Sequence, residues 1–316
     1  MSKSDLLTEL GTRTLLCDGA MGTQLIARGL AAGECGEQWN LTRPDDIEAI
    51  HRAYAHAGCD LITTNTFGGT TCSLERHGLG DQADELNRAG AALARKAVGE
   101  ERPHWVLGDI GPFGGFLEPI GEMSPRELRR IFEQQALALR RGGADAIIIE
   151  TMVDPAEMAL AIKAAQSVAD WPVIATYAFN KTDGPAPDSS PKSPSASPAG
   201  TAPEFRTIMG TSVADAVGQA VDAGADVVGA NCGTSLGLGD YLHLARALVQ
   251  AAGRVPVILQ PNAGSPQMVE GKLIHPASPA QMAELVPQLK ALGVRIIGGC
   301  CGTTPAHLAA MAAALK

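Results

Sequence analysis

The sequence has few basic residues for its length, and they form no long cluster. Its 316 residues include 25 Lys and Arg against 34 Asp and Glu, which gives a formal net charge of -9 and a pI of about 5.3. Surfaces that bind nucleic acids need clustered Lys and Arg, because these side chains displace counterions from the phosphates. The charge balance therefore argues against a nucleic-acid-binding protein.

Long hydrophobic runs are also missing. The amino-terminal stretch MSKSDLLTELGTRTLL lacks the apolar segment of a signal peptide, and no stretch approaches the roughly 18 apolar residues that a membrane helix requires. We therefore expect a cytoplasmic protein with no membrane partner. The 45% hydrophobic content is still sufficient for a large core, in one large α/β domain or two ordinary ones.

The number of cysteines does not suit a disulfide framework. There are seven, an odd number, spread through a chain that is large enough to fold without crosslinks. We expect reduced thiols, some of them metal-bound. For Cys17, Cys35, Cys59 and Cys72 we expect the role of small buried hydrophobic residues.

A recurring unit organises the chain. In each copy a glycine ends a helical pattern, a short apolar run follows, and a polar residue stands seven positions after the glycine; the copies occupy residues 58–65, 143–150, 224–231 and 293–300. The glycine is typical of a helix C′ position, and the apolar run predicts a buried parallel strand. Further apolar runs at residues 14–17, 105–109, 172–177 and 255–260 raise the number of predicted strands to eight.

Helical patterns between these strands begin with recognisable signals. A capping side chain followed by proline occurs at Ser124-Pro125, Asp154-Pro155, Ser278-Pro279 and Thr304-Pro305, and Pro44 precedes Asp45 and Glu48. Eight strands alternating with eight helices predict a single-domain (β/α)8 barrel (a TIM barrel), with an open doubly wound sheet as the alternative. In a barrel, one mouth would be shared by the polar residues that end strands 2, 4, 6 and 8, namely Asn65, Glu150, Asn231 and Cys300.

One segment interrupts this alternation. Residues 182–203 are rich in proline, serine and alanine, a composition that cannot bury a core. We expect a flexible insertion in the loop after the fifth strand, and one barrel domain over residues 1–316.

Three cysteines fall at predicted strand ends, Cys232 after the sixth strand and Cys300 and Cys301 after the eighth. Adjacent strand residues point to opposite faces, so Cys300 and Cys301 can share a ligand only if the chain bends, which the flanking glycines permit. A disulfide between these neighbours would be strained, whereas zinc accepts three thiolates and keeps a fourth position open. Packing as small buried hydrophobic residues is the alternative for these three as well.

The same mouth holds carboxylates, at Asp18, Asp109 and Glu150. The alternative role for each is to cap the next helix or to pair with a neighbouring arginine. Asp18 also precedes the glycine-rich turn of DGAMG, whose backbone N–H groups suit a carboxylate ligand. An acidic pair, an N–H nest and a thiophilic metal together favour a small amino acid that carries sulfur.

Six motifs occur in an order that is specific to one family. They are DGAMGT at 18–23, TNTFG at 64–68, IIET at 148–151, GANCG at 229–233, PNAG at 261–264 and GGCCGTTPAH at 298–307. Together they resemble the zinc-dependent homocysteine S-methyltransferases, and most closely the homocysteine-binding barrel of the cobalamin-dependent methionine synthases. The likeness covers nearly the whole chain except the Pro/Ser-rich insertion.

The resemblance implies a (β/α)8 barrel with its site residues at these motifs. The zinc ligands would be Cys232, Cys300 and Cys301. Asp18 and Glu150 would bind the amino group of homocysteine, and Gly19 and Thr64 would help to hold its carboxylate.

The resemblance also implies a transferase of methionine biosynthesis. A thiol coordinated to zinc loses its proton, so the homocysteine sulfur would attack an electrophilic methyl group and yield methionine. The PNAG and TNTFG stretches are more similar to the methionine synthase type, which favours methylcobalamin as the methyl donor. Because this sequence has no Asp-x-His-x-x-Gly corrinoid motif, we expect the cobalamin to be carried on a separate corrinoid protein or domain. S-methylmethionine or betaine is the alternative donor.

Two other classes of protein remain open. A zinc hydrolase favours His and carboxylate ligands with a general base nearby, and no histidine falls at a predicted strand end. A non-catalytic binding barrel with structural zinc would need a fourth protein ligand. Both fit the sequence less well than a methyltransferase.

Overall fold

A computed structural model of the chain describes residues 3–99, 104–182, 203–269 and 272–316. Eight parallel strands form its central sheet: β1 (Leu15–Leu16), β2 (Leu61–Thr63), β3 (Trp105–Ile110), β4 (Ala146–Met152), β5 (Val173–Tyr177), β6 (Val227–Asn231), β7 (Val257–Gln260) and β8 (Val294–Ile297). Neighbouring strands pair in the order β1-β8-β7-β6-β5-β4-β3-β2. The sheet closes between β1 and β2 through the bridge Cys17↔Leu61, beside which Asp18 N donates to Leu61 O at 3.0 Å.

One long helix follows each strand along the chain. These helices are α1 (Pro44–His56), α2 (Ala83–Val98), α3 (Pro125–Arg141), α4 (Pro155–Val168), α5 (Val213–Ala223), α6 (Leu238–Ala252), α7 (Pro279–Ala291) and α8 (Pro305–Leu315). The remaining helical segments are Lys3–Thr12, Met21–Ala27, Gly36–Gln38, Trp39–Thr42, Thr71–Glu75 and Gly80–Gln82. Within the ranges that the structure describes, no helix is long and apolar enough to cross a bilayer. The alternation and the closure confirm the predicted single-domain (β/α)8 barrel over the open doubly wound sheet.

The start and stop signals of the sequence act at the helix ends. Ser124, Asp154 and Ser278 each accept a hydrogen bond from a first-turn N–H of α3, α4 and α7, at 3.2, 2.8 and 3.3 Å. The repeated glycines share a left-handed φ of +99° to +104°, and they are Gly58, Gly143, Gly224 and Gly293. A residue with a Cβ is strained in this conformation, so glycine ends each helix where the next strand must begin.

Side-chain alternation along the strands divides the barrel interior into an apolar layer and a polar layer. Leu107 of β3 and Ile148 of β4 belong to a buried apolar cluster that Leu6 and Leu10 of the Lys3–Thr12 helix join. Two residues further along the same strands, on the same face, stand Asp109 and Glu150. The carboxyl end of the barrel is therefore left for polar side chains.

The insertion follows β5 along the chain. It is framed by an antiparallel pair of short strands, Asn180–Thr182 and Glu204–Arg206, in which Thr182 pairs with Glu204. Residues 183–202 lie outside the described residues, so the flexibility of the 182–203 segment stays a prediction. A second antiparallel pair, Gln267–Val269 with Lys272–Ile274, follows β7.

Candidate metal centre and substrate pocket

The thiols of Cys232, Cys300 and Cys301 meet at the carboxyl end of the barrel. Their Sγ atoms lie within 4.8 Å of one another, and Cys301 Sγ is 4.0 Å from both Cys232 Sγ and Cys300 Sγ. Three thiolates bound tetrahedrally to zinc at about 2.3 Å would lie about 3.8 Å apart. The spacing therefore suits a zinc ion after only a small movement of the side chains.

A tight turn after β8 brings two adjacent cysteines to the same side of the chain. Cys300 N donates to Pro261 O at 2.9 Å, which ties this turn to the segment after β7. Gly302 follows Cys301 with a φ of +80°, and a Cβ at this position would lie 2.2 Å from His275 Cβ. Position 302 therefore needs glycine, both for the bend and for the close approach of His275.

Cys232 has a backbone conformation that few residues adopt. Its φ is +58°, a region that costs a residue with a Cβ about 1–2 kcal/mol. Its carbonyl accepts a hydrogen bond from Tyr241 Oη at 2.7 Å. Asn262 Nδ2 donates to Gly233 O at 3.1 Å and lies 3.9 Å from Cys232 Sγ. These contacts hold the strained residue and fix the direction of its sulfur.

The short sulfur–sulfur contacts make the three thiols unequal in acidity. Hydrogen bonds from Cys300 and Cys301 lower the pKa of Cys232 well below that of an ordinary cysteine. The contact with Cys232 raises the pKa of Cys300 instead. A divalent metal would hold all three as thiolates, because a coordinating thiol is deprotonated.

The other four cysteines lie apart from this cluster. Cys17, Cys35 and Cys59 are buried and Cys72 is half-buried. Within the described ranges, Cys232, Cys300 and Cys301 form the only group of three or more side chains with metal-binding spacing. The burial of the other four fits their predicted role as small packing residues.

A cavity of about 370 Å³ opens beside the thiols. Its lining includes every residue that the sequence predicts for the site: Asp18, Gly19, Thr64, Glu150, Cys232, Cys300 and Cys301. Glu37 and Asp109 add two more carboxylates, and the described lining residues include no lysine, arginine or histidine. The cavity thus offers sulfur and negative charge, which suits a cationic ligand that also binds a thiophilic metal.

Asp18 is fixed by the neighbouring strand. Thr63 donates to it twice, from N to Oδ2 and from Oγ1 to Oδ1, each at 2.8 Å. Burial raises the pKa of Asp18 to about 7, although the Thr63 hydrogen bonds oppose this change. A cation beside the carboxylate would favour its charged form.

Glu150 enters the cavity from an irregularity in β4. The register of β4 against β5 shifts between Ile149 and Met152, which indicates a β-bulge of the kind that redirects side chains next to active sites. Glu150 Oε2 accepts from Asn231 Nδ2 at 3.3 Å. Burial, followed by repulsion from Asp18, raises the pKa of Glu150 to about 8. Both predicted ammonium-binding carboxylates are therefore poised to gain from a cation.

Gly19 and Thr64 also line the cavity, and neighbouring residues constrain both of them. A Cβ at position 19 would lie 2.6 Å from Thr303 Oγ1, so this turn packs only with glycine. Thr64 Oγ1 accepts from Asp109 N at 3.0 Å and lies 2.6 Å from Thr66 Oγ1. Thr66 Oγ1 donates to Asp109 O at 2.8 Å, so the hydroxyl proton of Thr64 is directed to Thr66.

Sequence reasoning did not assign the residues that orient the site. These residues are Thr63, Asn231, Tyr241 and Asn262. Asn231 and Asn262 lie inside the motifs GANCG and PNAG, so a search for orienting groups within the motifs would have found them. Thr63 and Tyr241 carry no such signal, because neither lies inside one of the motifs, and the partner of Thr63 is 45 residues away in the chain.

The chain is similar to known proteins over nearly its whole length. A family model described as homocysteine S-methyltransferase matches residues 15–315. The chain is 33% identical over 330 residues to a methionine synthase of Mycobacterium tuberculosis and 33% identical over 328 residues to one of Mycobacterium leprae. Each alignment covers 99% of this chain and 25% of the relative, so the chain spans about a quarter of the length of these curated relatives.

Solved structures show the same fold. The homocysteine methyltransferase MmuM from Escherichia coli, in its metallated form, superposes with a TM-score of 0.74 at 23% identity and over 99% of both chains. The apo form of MmuM superposes with a TM-score of 0.67 at 23% identity and over 96% of both chains. At this level of identity the likeness supports the barrel fold alone.

Proposed function

The chain belongs to the homocysteine S-methyltransferase family, and on this premise we propose that residues 1–316 form a homocysteine-binding barrel that methylates the homocysteine thiol to give methionine. One observation carries the proposal: three thiols with zinc spacing share a cavity with the carboxylates of Asp18 and Glu150. Cys232, Cys300 and Cys301 would hold a zinc ion, which would bind the substrate sulfur and activate it.

The sulfur end of the cavity prepares the nucleophile. Bound zinc would lower the pKa of the homocysteine thiol, so that the sulfur reacts as a thiolate near neutral pH. Three cysteine thiolates would offset the charge of the metal, so that the metal would withdraw less electron density from the substrate sulfur than it would with neutral histidine ligands. The amides of Asn231 and Asn262, at 3.8 Å from Cys300 Sγ and 3.9 Å from Cys232 Sγ, hold the thiolates in position.

The amino-acid end of the cavity positions the substrate. Asp18 and Glu150 accept hydrogen bonds from the substrate ammonium, which restores their charged forms. Gly19 offers its backbone N–H to the substrate carboxylate. Thr64 takes part when its hydroxyl turns away from Thr66 toward the ligand.

The mouth of the barrel favours a macromolecular methyl donor. Loops that follow barrel strands lie at the catalytic face, and several of them present exposed apolar side chains. Among these side chains are Ile26, Phe67, Phe116, Ile120, Ile208 and Met268. Exposed apolar side chains on the loops of this face would suit contact with a macromolecular carrier. We therefore infer that methylcobalamin, carried on a corrinoid protein or domain, supplies the methyl group, in keeping with the methionine synthase relatives.

A donor panel tests this function. Purified protein is analysed for zinc and then assayed for methionine formation from homocysteine with methylcobalamin, S-methylmethionine and betaine. We expect about one zinc per chain and the highest turnover with methylcobalamin. Higher turnover with S-methylmethionine or betaine would show that one of these alternative donors supplies the methyl group. Zinc without methyl transfer from any of them would refute the proposal in favour of a structural zinc or a hydrolase.

A further inference from the structure

Asp109 carries a buried carboxylate oxygen that has no hydrogen-bond partner among the described residues. The residue is only 4% exposed, lines the cavity, and its Oδ1 has no hydrogen-bond partner among the residues that the structure describes. A buried carboxylate without a donor is costly. Either a proton or a ligand must therefore satisfy it.

The barrel places this carboxylate beside the two that we assign to the substrate ammonium. Asp109 pairs in register with Ile148 of β4, and Glu150 stands two residues further along on the same face. On the other side of β3, strand β2 contributes Thr63, which holds Asp18 through two hydrogen bonds of 2.8 Å. Asp18, Asp109 and Glu150 thus approach one cavity from neighbouring parts of the barrel wall.

The backbone holds Asp109 in this position. Its N–H donates to Thr64 Oγ1 at 3.0 Å, and its carbonyl accepts from Thr66 Oγ1 at 2.8 Å and from Gln135 Nε2 at 3.3 Å. The strand end is therefore fixed while Oδ1 stays without a partner. A binding residue is expected to combine a rigid support with an unsatisfied functional atom.

The charges around Asp109 favour an external cation. Burial, followed by repulsion from Glu150 and Asp18, raises the pKa of Asp109 well above its usual range. Since the described lining contains no lysine, arginine or histidine, a cation that pairs with the charged form of Asp109 would come with the ligand. A primary ammonium has three N–H donors, as the side chain of lysine does. Asp18 and Glu150 together accept two of them.

Building on the proposed function, we propose that Asp109 is the third acceptor of the homocysteine ammonium. Asp109 Oδ1 accepts the N–H that Asp18 and Glu150 leave unbound. With all three donors satisfied, the pocket selects a primary ammonium at the α-carbon of its thiol substrate.

Binding measurements on the zinc-loaded protein test this role without the methyl donor. Calorimetry compares homocysteine with 4-sulfanylbutanoate, which has the same thiol and carboxylate but no amino group. We expect Asp109→Asn to weaken homocysteine binding about 10- to 100-fold, as the loss of a hydrogen bond to a charged group would. Binding of 4-sulfanylbutanoate should change less than about threefold, because this ligand never contacts Asp109.

Glu157→Gln is the matched control, since Glu157 is a buried carboxylate that is 4% exposed and lies outside the cavity lining. It should leave both affinities and the zinc content unchanged. Three results for Asp109→Asn would each overturn the role of Asp109: an equal loss of affinity for both ligands, unchanged homocysteine binding, or loss of zinc. If Asp109→Asn does not fold, Asp109→Ser is measured by the same criteria. Failure of the unsubstituted protein to bind homocysteine would instead refute the proposed function itself.

Discussion

Asn231 and Thr151 are joined through both ends of one side-chain amide. Asn231 Oδ1 accepts from Thr151 N at 2.8 Å, and Asn231 Nδ2 donates to Thr151 Oγ1 at 2.7 Å. Thr151 has a φ of +60°, which is unfavourable for a β-branched residue and costs about 1–3 kcal/mol. The same Nδ2 lies 3.3 Å from Glu150 Oε2 and 3.8 Å from Cys300 Sγ. One amide thus links a strained backbone to the carboxylate of Glu150 and to the cysteine cluster.

Removal of this amide should cost both stability and substrate affinity. Asn231→Ala leaves Thr151 N and Thr176 Oγ1 without their buried acceptor, so we expect about 3 kcal/mol less free energy of unfolding. The KM for homocysteine should also rise, because Glu150 loses its orienting contact. Urea unfolding and steady-state kinetics measure the two effects. Thr151→Gly should cost less than about 1 kcal/mol, since glycine relieves the strain; an equal loss in both variants would contradict the bracing role.

Each of the three clustered cysteines should be needed for tight zinc binding. Cys232→Ser, Cys300→Ser and Cys301→Ser each remove one of three thiolates, and we expect zinc to be lost on dialysis. Cys72→Ser is the control, because Cys72 lies outside the cluster. This variant should keep about one zinc per chain. Full zinc in any of the three variants would contradict the site. The apo protein should still melt cooperatively, because the barrel core does not depend on the metal.

Loss of charge at the ammonium-binding pair should affect the substrate more than the metal. Asp18→Asn and Glu150→Gln each remove a charge-assisted hydrogen bond worth about 1.5–3 kcal/mol, which predicts a KM for homocysteine raised about 10- to 100-fold. Zinc content should stay near that of the unsubstituted protein. Parallel measurements of KM and of zinc per chain test this separation, and loss of zinc in step with affinity would contradict it.

Glu157 should make stability depend on pH. It is buried, Phe113 N donates to its Oε1 at 2.7 Å, and burial raises its pKa to about 7 from the ordinary 4.5. The folded protein holds this proton more tightly than the unfolded chain does. Glu157 therefore contributes fully to the free energy of unfolding below pH 4.5, and this contribution is lost as the pH rises through 7. The shift in pKa corresponds to about 3 kcal/mol of the free energy of unfolding. Glu157→Gln should therefore gain stability relative to the unsubstituted protein in urea unfolding at pH 8 but not at pH 4; a constant difference would contradict this.

The Pro/Ser-rich insertion should contribute little to folding. Residues 183–202 can be replaced by a short Gly-Ser link that preserves the pairing of Thr182 with Glu204. Removal of a polar segment that has no core costs a protein little stability, and the entropy of loop closure changes only slowly with loop length. We expect an unchanged zinc content and a nearly unchanged melting temperature by calorimetry. A large drop in the melting temperature would show that the segment packs on the barrel.

The sequence by itself determined the barrel and the chemical types at its mouth. Glycines with a φ near +100° had to end the helices before β2, β4, β6 and β8, because other residues are strained there. Apolar runs of strand length between such signals leave few alternatives to parallel strands. The motifs around Asp18, Glu150, Cys232, Cys300 and Cys301 then indicated which strand ends carry the chemistry.

Tertiary structure alone decided how these groups act on one another. The 4.0 Å spacing of the sulfurs depends on Cys300 N bonding Pro261 O, a contact between segments after two different strands. The family resemblance assigns Thr64 to the substrate carboxylate. In the fold its hydroxyl proton is directed to Thr66, so the hydroxyl must turn to reach a ligand. Asp109 has a buried carboxylate oxygen without a hydrogen-bond partner among the described residues. A local pattern specifies the residue type and its strand, whereas hydrogen bonds between distant segments fix where each polar atom points and which atoms are left for a ligand.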